Sequence, residues 1–167
     1  PDSKPLSEPV RGKIKAKKLF VKYKDSNSKA LDGISFTINP GELVAIVGPV
    51  GCGKTTLAKC LGRTIDISND QLFLDNNDIK KINLEDLRKN IAIVPQEAFL
   101  FTSTISDNIK FGNPEAKNKI IKSSAKRAGL IEDIYNFPKG FQTIVGERGI
   151  TLSGGQRQRT ALGRALL

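Results

Sequence analysis

An apolar run that leads directly into a glycine-rich loop constrains this sequence more than any other feature does. Residues 43–47 are all apolar and predict a strand buried on both faces, as in a parallel sheet. The next eight residues, from Gly48 to Thr55, fit the phosphate-binding pattern G-x-x-x-x-G-K-[ST]. A helix is predicted to start near Gly53. Strand, loop and helix in this order indicate a domain that binds a nucleotide through its phosphates.

The residue types of the loop follow from the chemistry of phosphate binding. Three glycines allow tight backbone curvature, so that several N–H groups point inward at phosphate oxygens. Lys54 adds a positive charge for the β- and γ-phosphates, and Thr55 offers a hydroxyl ligand to Mg²⁺. The positive end of the helix dipole faces the same phosphates. The residues predicted to contact the nucleotide are Gly48, Pro49, Val50, Gly51, Cys52, Gly53, Lys54, Thr55 and Thr56.

The composition is that of one domain, or most of one, with a basic surface. Hydrophobic residues make up 38% of the 167 residues, and the formal net charge is +10. Much of the positive charge lies between Arg11 and Lys29, which would suit nucleic acid or an anionic membrane. No nucleic-acid motif or aromatic interleaving accompanies this charge. We therefore interpret it as the solvated face of a β-subdomain, and we expect no nucleic-acid partner.

Residue types that are rare or missing exclude several classes of protein. No apolar run is long enough to span a membrane, and no N-terminal signal peptide is visible. Cys52 and Cys60 form neither a metal-ligand spacing nor a disulfide framework, which suits a reducing compartment. The sequence contains no histidine, so His-based catalysis within these residues is excluded.

Strands are predicted where apolar residues alternate or run together between turn residues. Residues 1–11 are expected to form a linker or a loose terminus. The predicted strands are residues 14–23, half-exposed and consistent with a bulge; residues 34–38; residues 43–47; residues 71–74, followed by a turn at 75–78; and a buried strand at 91–94.

Helices are predicted where capping residues precede apolar periodicity. One helix follows the phosphate loop. A second is capped by Asn83 and extends through residue 89. The other two are predicted at 113–129 and 153–167. The helix at 113–129 would have Asn113 as its cap, Pro114 at its first position and Gly129 at its end. Its apolar face would consist of Ile120, Ile121, Ala125 and Ala128.

The stretch Leu152-Ser153-Gly154-Gly155-Gln156 is the second informative feature. Ser153 and Gln156 fit the S-x-x-Q capping box, which alone would indicate only a well-capped helix. Gly154 and Gly155 are poor helix formers, however, and they fall in the first turn. Their placement is explained if backbone N–H groups must come close to an anion.

With these two motifs the chain resembles the ATP-binding cassette (ABC) family, whose signature LSGGQ stands at residues 152–156. The phosphate loop and the signature form a highly specific pair, and the resemblance covers the chain from about Gly12 onward. It implies an α/β fold of the P-loop NTPase (RecA-like) class with an antiparallel β-subdomain and an α-helical signature subdomain. It also implies ATP and Mg²⁺ as the ligands.

The resemblance implies roles for further residues. Tyr23 matches the aromatic residue that stacks on adenine, although an aromatic side chain can also simply pack on a strand. Gln96 matches the glutamine of the Q-loop, which contacts Mg²⁺ and the attacking water, unless it is a polar residue at a strand end. Residues 146–149 look like the X-loop of ABC exporters, or an ordinary turn. Residues 97–109 resemble the segment that receives a coupling helix.

The same resemblance implies a head-to-tail dimer of two cassettes, with ATP between the phosphate loop of one and the signature of the other. Lys54 and Gln96 would assist hydrolysis, and Thr55 and Gln96 would ligate Mg²⁺. The residues implied to contact the partner's nucleotide are Ser153, Gly154, Gly155 and Gln156. Transmembrane domains would be contacted through the Q-loop and X-loop region, at the cytoplasmic face of a membrane.

The implied domains are a linker at 1–11, from a preceding membrane domain, and a partial ABC domain at 12–167. The β-subdomain and phosphate loop would occupy about 12–95, the Q-loop and helical subdomain about 96–152, and the signature helix 153–167. The family's Walker B strand, catalytic Glu, D-loop and switch His have no counterpart in the sequence. We therefore expect a fragment with an exposed inner sheet edge that binds ATP but hydrolyses it poorly.

Three alternatives to an exporter domain stay open. An importer's separate ATPase subunit is disfavoured by the loop at 146–149 and by the linker. A soluble ABC protein of DNA repair or chromosome maintenance would carry long insertions between the two motifs, and none is present. A nonhydrolytic nucleotide-binding or dimerisation module would bind ATP without turnover.

One smaller departure from the family pattern is Gly163, which stands in the signature helix where Ala is usual. It costs about 1 kcal/mol of helix propensity.

Overall fold

The structure is a computed structural model that describes residues 4–6, 9–24, 27–146 and 150–167. The chain divides into two compact units, Pro1–Ala92 and Ile93–Leu167. Each unit has its own cluster of buried apolar side chains. Within the described ranges, no helix is both long and apolar enough to cross a membrane.

The first unit is built on a four-stranded antiparallel sheet with the strand order β2-β1-β3-β4. Its strands are β1 (Ile14–Lys22), β2 (Lys29–Ile38), β3 (Leu72–Leu74) and β4 (Asn77–Asp78). Along β1 the apolar residues Ala16, Leu19 and Val21 are buried, whereas the lysines between them are exposed. The predicted antiparallel β-subdomain is therefore confirmed, with its lysines on the solvent side.

The alternation of buried and exposed residues along β1 changes phase at a β-bulge. The pairing of β1 with β2 shifts register between Ala16 and Leu19. Lys18 has a φ of 46°, in the left-handed region, and its N–H donates to Ser35 Oγ at 2.8 Å. The extra residue allows Ala16 and Leu19 to face the same core in spite of their odd spacing.

Two helices of the first unit also form where the sequence predicts them, and so does part of one tight turn. Helix α1 (Lys54–Leu61) follows the phosphate loop, and α2 (Leu84–Asn90) begins behind its cap. The cap is Asn83, whose Oδ1 accepts from the Glu85 N–H at 2.8 Å. The turn predicted at 75–78 is confirmed only at Asp75 and Asn76, with φ values of 47° and 68°, because residues 77–78 form β4. The helices contribute to the core through Leu57, Cys60 and Leu87.

Part of the predicted loose terminus is held against the first unit. Lys4 forms an isolated parallel bridge with Ile82. Leu6 and Val10 pack against the buried cluster of this unit. The expectation of a loose terminus is therefore wrong for these residues.

Residues 43–47 do not form a buried strand, so this prediction is wrong. The segment has no strand pairing, and 101% of Leu43 and 88% of Val47 are exposed. A strand needs a neighbour that satisfies its backbone N–H and C=O groups, and none of the described segments pairs with this one. The apolar side chains of this segment are exposed, but because no strand forms here they do not lie on the inner sheet edge that the sequence analysis expects.

The buried strand predicted at 91–94 is also absent from the described structure. Helix α2 ends at Asn90, and the chain continues through 91–94 without strand pairing. Ile93 is 43% exposed. Hydrophobic patterning predicts that a segment favours burial, but it does not supply the neighbouring strand that burial requires.

The second unit is mainly helical, with one short antiparallel pair. Its elements are β5 (Ser103–Thr104), α3 (Ile105–Lys110), α4 (Asn118–Arg127), α5 (Ile131–Asn136), β6 (Ile144–Val145) and α6 (Gly154–Ala165). Helix α6 is the predicted last helix, and it packs against α3 and α4. The largest fully buried side chains of this unit include Ile105, Ile109, Ile121, Leu130 and Ile134.

Helix α4 is shorter than the helix predicted at 113–129. Asn113 does not cap it, because its Oδ1 accepts the N–H two residues later at 3.1 Å and closes a turn. Gly129 follows the helix with a φ of 68°, as expected of a glycine stop. Ile120 is 50% exposed and does not belong to the apolar face. The buried members of that face are Ile121, Ala125 and Ala128.

Two glycines of the second unit permit a matched test of its packing. A methyl group at Gly163 in α6 would lie 3.6 Å from Ile109 and 3.7 Å from Ala128, which are ordinary van der Waals distances. We expect Gly163→Ala to raise the free energy of unfolding by about 1 kcal/mol, because alanine has the higher helix propensity. Chemical denaturation followed by circular dichroism measures the change.

The control is Gly112→Ala, which makes the same chemical change at a crowded position. Its Cβ would lie 2.1 Å from the carbonyl oxygen of Arg164, so the variant should be less stable than the parent. A Gly163→Ala variant that is no more stable than the parent, or no more stable than Gly112→Ala, would contradict this packing.

Candidate nucleotide-binding site

The phosphate loop turns the chain into α1 through glycines with positive φ. Gly51 and Gly53 have φ values of 84° and 94°, which glycine adopts without strain. Gly53 is the N-cap of α1, and none of the described side chains caps this helix. The first turn of α1 therefore presents N–H donors and the positive end of the helix dipole to an incoming anion.

Close packing beneath the loop gives a second reason for glycine at position 53. A Cβ on Gly53 would lie 2.3 Å from the carbonyl oxygen of Ala30 and 2.8 Å from Leu31 Cδ2. Both of these residues belong to β2. The loop therefore lies directly on β2, and any side chain at this position would push the loop away from the sheet.

Lys54 bends back over the loop. Its Nζ donates to the carbonyl oxygens of Gly48 and Pro49, both at 2.8 Å, and lies 3.6 Å from Cys52 Sγ. An ammonium group bonds more strongly to a phosphate oxygen than to a neutral carbonyl. Lys54 is thus held where an entering phosphate can take over its hydrogen bonds. Thr55, the predicted Mg²⁺ ligand, is exposed beside it.

Tyr23 lies beside the first turn of α1. It follows β1 directly, and its hydroxyl oxygen is 3.2 Å from Thr56 Oγ1. Thr56 is buried, whereas 40% of Tyr23 is exposed. The fold of the first unit therefore brings Tyr23 to the phosphate loop and leaves part of the residue open to solvent.

The signature residues form the start of α6 with the predicted capping box. Ser153 Oγ accepts from the Gln156 N–H at 3.2 Å, and Gln156 Oε1 accepts from the Ser153 N–H at 2.9 Å. Ser153, Gly154 and Gly155 are all exposed. The helix start thus offers the exposed backbone of the two glycines as a second surface suited to an anion.

A carboxylate that the sequence analysis did not single out supports the signature. Asp133, in α5, accepts from Gln156 Nε2 at 3.0 Å and from Arg159 Nη2 at 2.8 Å. The hydrogen bond from Gln156 is the largest cause that lowers the pKa of Asp133 below its ordinary value. Partial burial opposes this change, and Arg159 adds to it. No sequence signal marked Asp133, because an acidic residue on a short helix is usually only a solvated one.

Gln96 lies near the signature within the second unit. A cleft of about 370 Å³ is lined by Gln96, Glu97, Ala98, Gly154 and Arg157. Gln96 is exposed there. The structure therefore brings Gln96 and the start of α6 together, while the phosphate loop belongs to the first unit.

The segment at 97–109 contributes to an exposed group of aromatic rings. We call Phe99, Phe101 and Phe111 the aromatic patch; their exposed fractions are 67%, 38% and 60%. The guanidinium of Arg164 in α6 lies 5.6 Å from the ring centroid of Phe101 and 5.5 Å from that of Phe111. It also donates to the carbonyl oxygen of the buried Asn108 at 2.9 Å. The patch is therefore attached to the signature helix.

The predicted X-loop begins against the chain before β5. Gly146 has a φ of 100°, and a Cβ there would lie 2.8 Å from Thr102 Oγ1. Residues 147–149, which complete this predicted loop, lie outside the described residues.

Two exposed glycine-rich helix starts, a lysine folded over one of them and a tyrosine beside it define a nucleotide-binding domain of the P-loop class. The family model described as ABC transporter matches residues 31–167. The chain belongs to the ABC transporter family, whose members are ATPases coupled to transport.

Similar proteins include several eukaryotic ABC transporters. ABC transporter B family member 4 of Dictyostelium discoideum is 45% identical over 95% of this chain and 21% of its own length. Human ATP-binding cassette sub-family B member 6 is 41% identical over 94% of this chain and 18% of its own length. The mitochondrial iron-sulfur clusters transporter ATM1 of Gibberella zeae is 41% identical over 99% of this chain and 24% of its own length.

The fold agrees with that of a solved exporter. The structure of a bacterial Atm1-family ABC exporter with ATP bound matches with a TM-score of 0.90 at 37% identity, over 99% of this chain and 29% of that one. The predicted α/β, P-loop NTPase fold class is therefore confirmed. The chain spans about a fifth to a quarter of the curated relatives it matches, and it is homologous to their ATP-binding domain.

The two cysteines should differ sharply in reactivity. Cys52 is exposed in the phosphate loop, whereas Cys60 is fully buried, and burial raises the pKa of its thiol to about 11. The thiolate is the reactive form, so a maleimide at neutral pH should label Cys52 and leave Cys60 unmodified. Peptide mass spectrometry measures both sites, and a Cys52→Ser variant should take up label only after unfolding. Labelling of Cys60 in the folded chain at a rate similar to Cys52 would contradict its burial.

Proposed function

We propose that this chain is the ATP-binding domain of an ABC-type exporter, which couples ATP binding and hydrolysis at a head-to-tail cassette dimer to transport across a membrane. The observation that carries the proposal is the pair of exposed glycine-rich helix starts, before α1 and at the start of α6. Each suits phosphate oxygens. Two copies placed head to tail would set one phosphate loop against one signature at each of two nucleotides.

The residues of the phosphate loop fit a Mg²⁺–nucleotide complex. The backbone of the loop and Lys54 would hold the phosphates of ATP, and Tyr23 would stack on its adenine. Thr55 and Gln96 carry hydroxyl and amide oxygens, which are the hard ligands that Mg²⁺ prefers. No three His, Cys, Asp or Glu side chains among the described residues could hold a metal by themselves. Phosphate oxygens and water would therefore supply most of the coordination sphere, as is usual for Mg²⁺.

Hydrolysis transfers the γ-phosphoryl group of ATP to water. Water attacks the γ-phosphorus in line while the bond to the β–γ bridging oxygen breaks, which gives ADP and inorganic phosphate. Lys54 would stabilise the charge on the phosphate oxygens, and Gln96 would orient the water. Ser153 and the N–H groups of the glycines that follow would contact the γ-phosphate from the second cassette. ATP would thus stabilise the closed dimer, and its cleavage would release it.

The aromatic patch is the proposed contact with the transmembrane domains. Exposed aromatic rings are enriched at the centre of protein interfaces, and three of them cluster here. The other residues of the segment 97–109 and the loop at 146–149 would complete this contact. The domain would then lie at the cytoplasmic face of a membrane as part of an integral transporter.

A nonhydrolytic nucleotide-binding or dimerisation module is the second candidate. The exposed segment 43–47 favours it for the 167-residue chain tested alone, because an unpaired segment gives the phosphate loop little support from that side. The expected result for that chain is ATP binding with little turnover.

The central test is ATP hydrolysis by the full-length protein that contains this chain. Lys54→Ala should lower the rate by about 100-fold or more, because it removes the charge that faces the phosphates. Lys59→Ala is the matched control, since Lys59 is an exposed cation on the same helix, and it should keep the parent rate. Hydrolysis that survives Lys54→Ala would contradict the proposed role of the loop.

Two variants of Tyr23 test whether its ring contacts adenine. Tyr23→Ala should weaken ATP binding about tenfold, because base stacking on an aromatic ring contributes roughly 1–3 kcal/mol. Tyr23→Phe keeps the ring and loses only the hydrogen bond to Thr56, so it should bind ATP as the parent does. Titration with a fluorescent ATP analogue measures both. Equal losses in the two variants would assign the effect to the hydroxyl group instead of the ring.

A further inference from the structure

The carboxylate of Asp133 connects α5 to two side chains of the signature helix. Its Oδ1 accepts from Gln156 Nε2 at 3.0 Å, and its Oδ2 accepts from Arg159 Nη2 at 2.8 Å. The side chain of Asp133 is only 23% exposed. One residue of a neighbouring helix thus holds the last residue of the signature and a cation one turn further on.

The contact fixes which way the amide of Gln156 points. Gln156 donates through Nε2 to Asp133 and accepts through Oε1 from the Ser153 N–H. The reversed amide would set its oxygen against the carboxylate of Asp133 and its NH₂ group against the Ser153 N–H. Both contacts would then be repulsive. Asp133 and the backbone of Ser153 therefore select the same orientation.

With Gln156 so engaged, the remaining groups of the helix start are free for a ligand. Ser153 Oγ accepts from the Gln156 N–H, so its hydroxyl hydrogen can still donate outward. Gly154 and Gly155 expose their backbone beside it. Gln156 thus organises the anion surface, while Ser153 and the two glycines offer donors to it.

Arg159 is held close to the same surface. A Cβ on Gly155 would lie 3.2 Å from Arg159 Nη1, so glycine at this position leaves room for the guanidinium. Arg159 Nε is buried and has no hydrogen-bond partner among the described residues. Among the described residues, the hydrogen bond of Arg159 goes to Asp133, through Nη2. Its charge also offsets that of the carboxylate, which would otherwise repel an anion near the helix start.

We propose that Asp133 is a positioning residue for the signature: it holds Gln156 and Arg159 so that the capping box stays closed and the donors of Ser153 and Gly154 face the partner cassette's nucleotide. This inference rests on the proposed function. Asp133 does not itself contact the nucleotide; it acts through Gln156 and Arg159.

The test compares three variants in the full-length protein. Asp133→Ala removes both contacts, Asp133→Asn keeps one acceptor and removes the charge, and Glu132→Ala changes the adjacent exposed carboxylate as a control. We expect kcat for ATP hydrolysis to fall about tenfold in Asp133→Ala, because charge-assisted hydrogen bonds are lost. It should fall about threefold in Asp133→Asn and stay unchanged in Glu132→Ala. The KM for ATP should stay within about twofold, because the phosphate loop is not altered.

A second comparison shows whether Asp133 acts through Gln156. In a Gln156→Ala background, Asp133→Ala should lower kcat by clearly less than tenfold, because one of the two contacts is already missing. A full tenfold loss in that background would overturn the proposed route. A KM that rises as much as kcat falls, or a kcat that Asp133→Ala leaves unchanged, would overturn the inference as a whole.

Failure of the proposed function would give a different pattern of results. Lys54→Ala and Ser153→Ala test that function without touching Asp133. If both leave ATP hydrolysis unchanged, the proposed function fails, and this inference fails with it. If both lower hydrolysis while Asp133→Ala does not, only the role of Asp133 fails.

Discussion

The first N–H groups of every α-helix have no partner inside the helix, and this chain meets that constraint in two different ways. Helix α6 closes its own start, because Ser153 and Gln156 exchange hydrogen bonds in a capping box. Helix α1 begins at Lys54 after its N-cap Gly53, and none of the described side chains caps it. Its donors are therefore left to solvent or to a ligand. The start of α6 is thus closed by its own side chains, whereas the start of α1 presents backbone donors suited to an anion.

The same demand for backbone partners explains where the structure departs from the sequence pattern. Residues 43–47 and 91–94 are apolar enough for buried strands, yet none of the described segments pairs with either. Leu43 is fully exposed as a result. The strands that do form each pair with at least one neighbour, either in the four-stranded sheet of the first unit or in the β5–β6 pair of the second. Hydrophobicity therefore favours a strand, but pairing determines whether the strand exists.

Local signals in the sequence predicted much of the fold and of the site. Side-chain chemistry within a few residues determines the caps at Asn83 and Ser153 and the bulged strand β1. Such local features can be predicted from a single sequence. The predicted cap at Asn113 is wrong, because an asparagine that precedes a helix and one that closes a turn look alike in sequence. Asp133 and its partners are far apart in the chain. Their contact depends on how α5 packs against α6, and no local pattern encodes that.

Contacts at both ends tie α6 to the rest of the second unit. At its start, Asp133 holds Gln156 and Arg159. Near its end, Arg164 bonds to the Asn108 carbonyl and lies over two rings of the aromatic patch. The helix is 12 residues long, which corresponds to about 18 Å. These contacts lie within one compact unit, so α6 connects the aromatic patch to the signature. Under the proposed function, this helix is the physical route by which a partner bound at the patch and a nucleotide bound at the signature would be coupled.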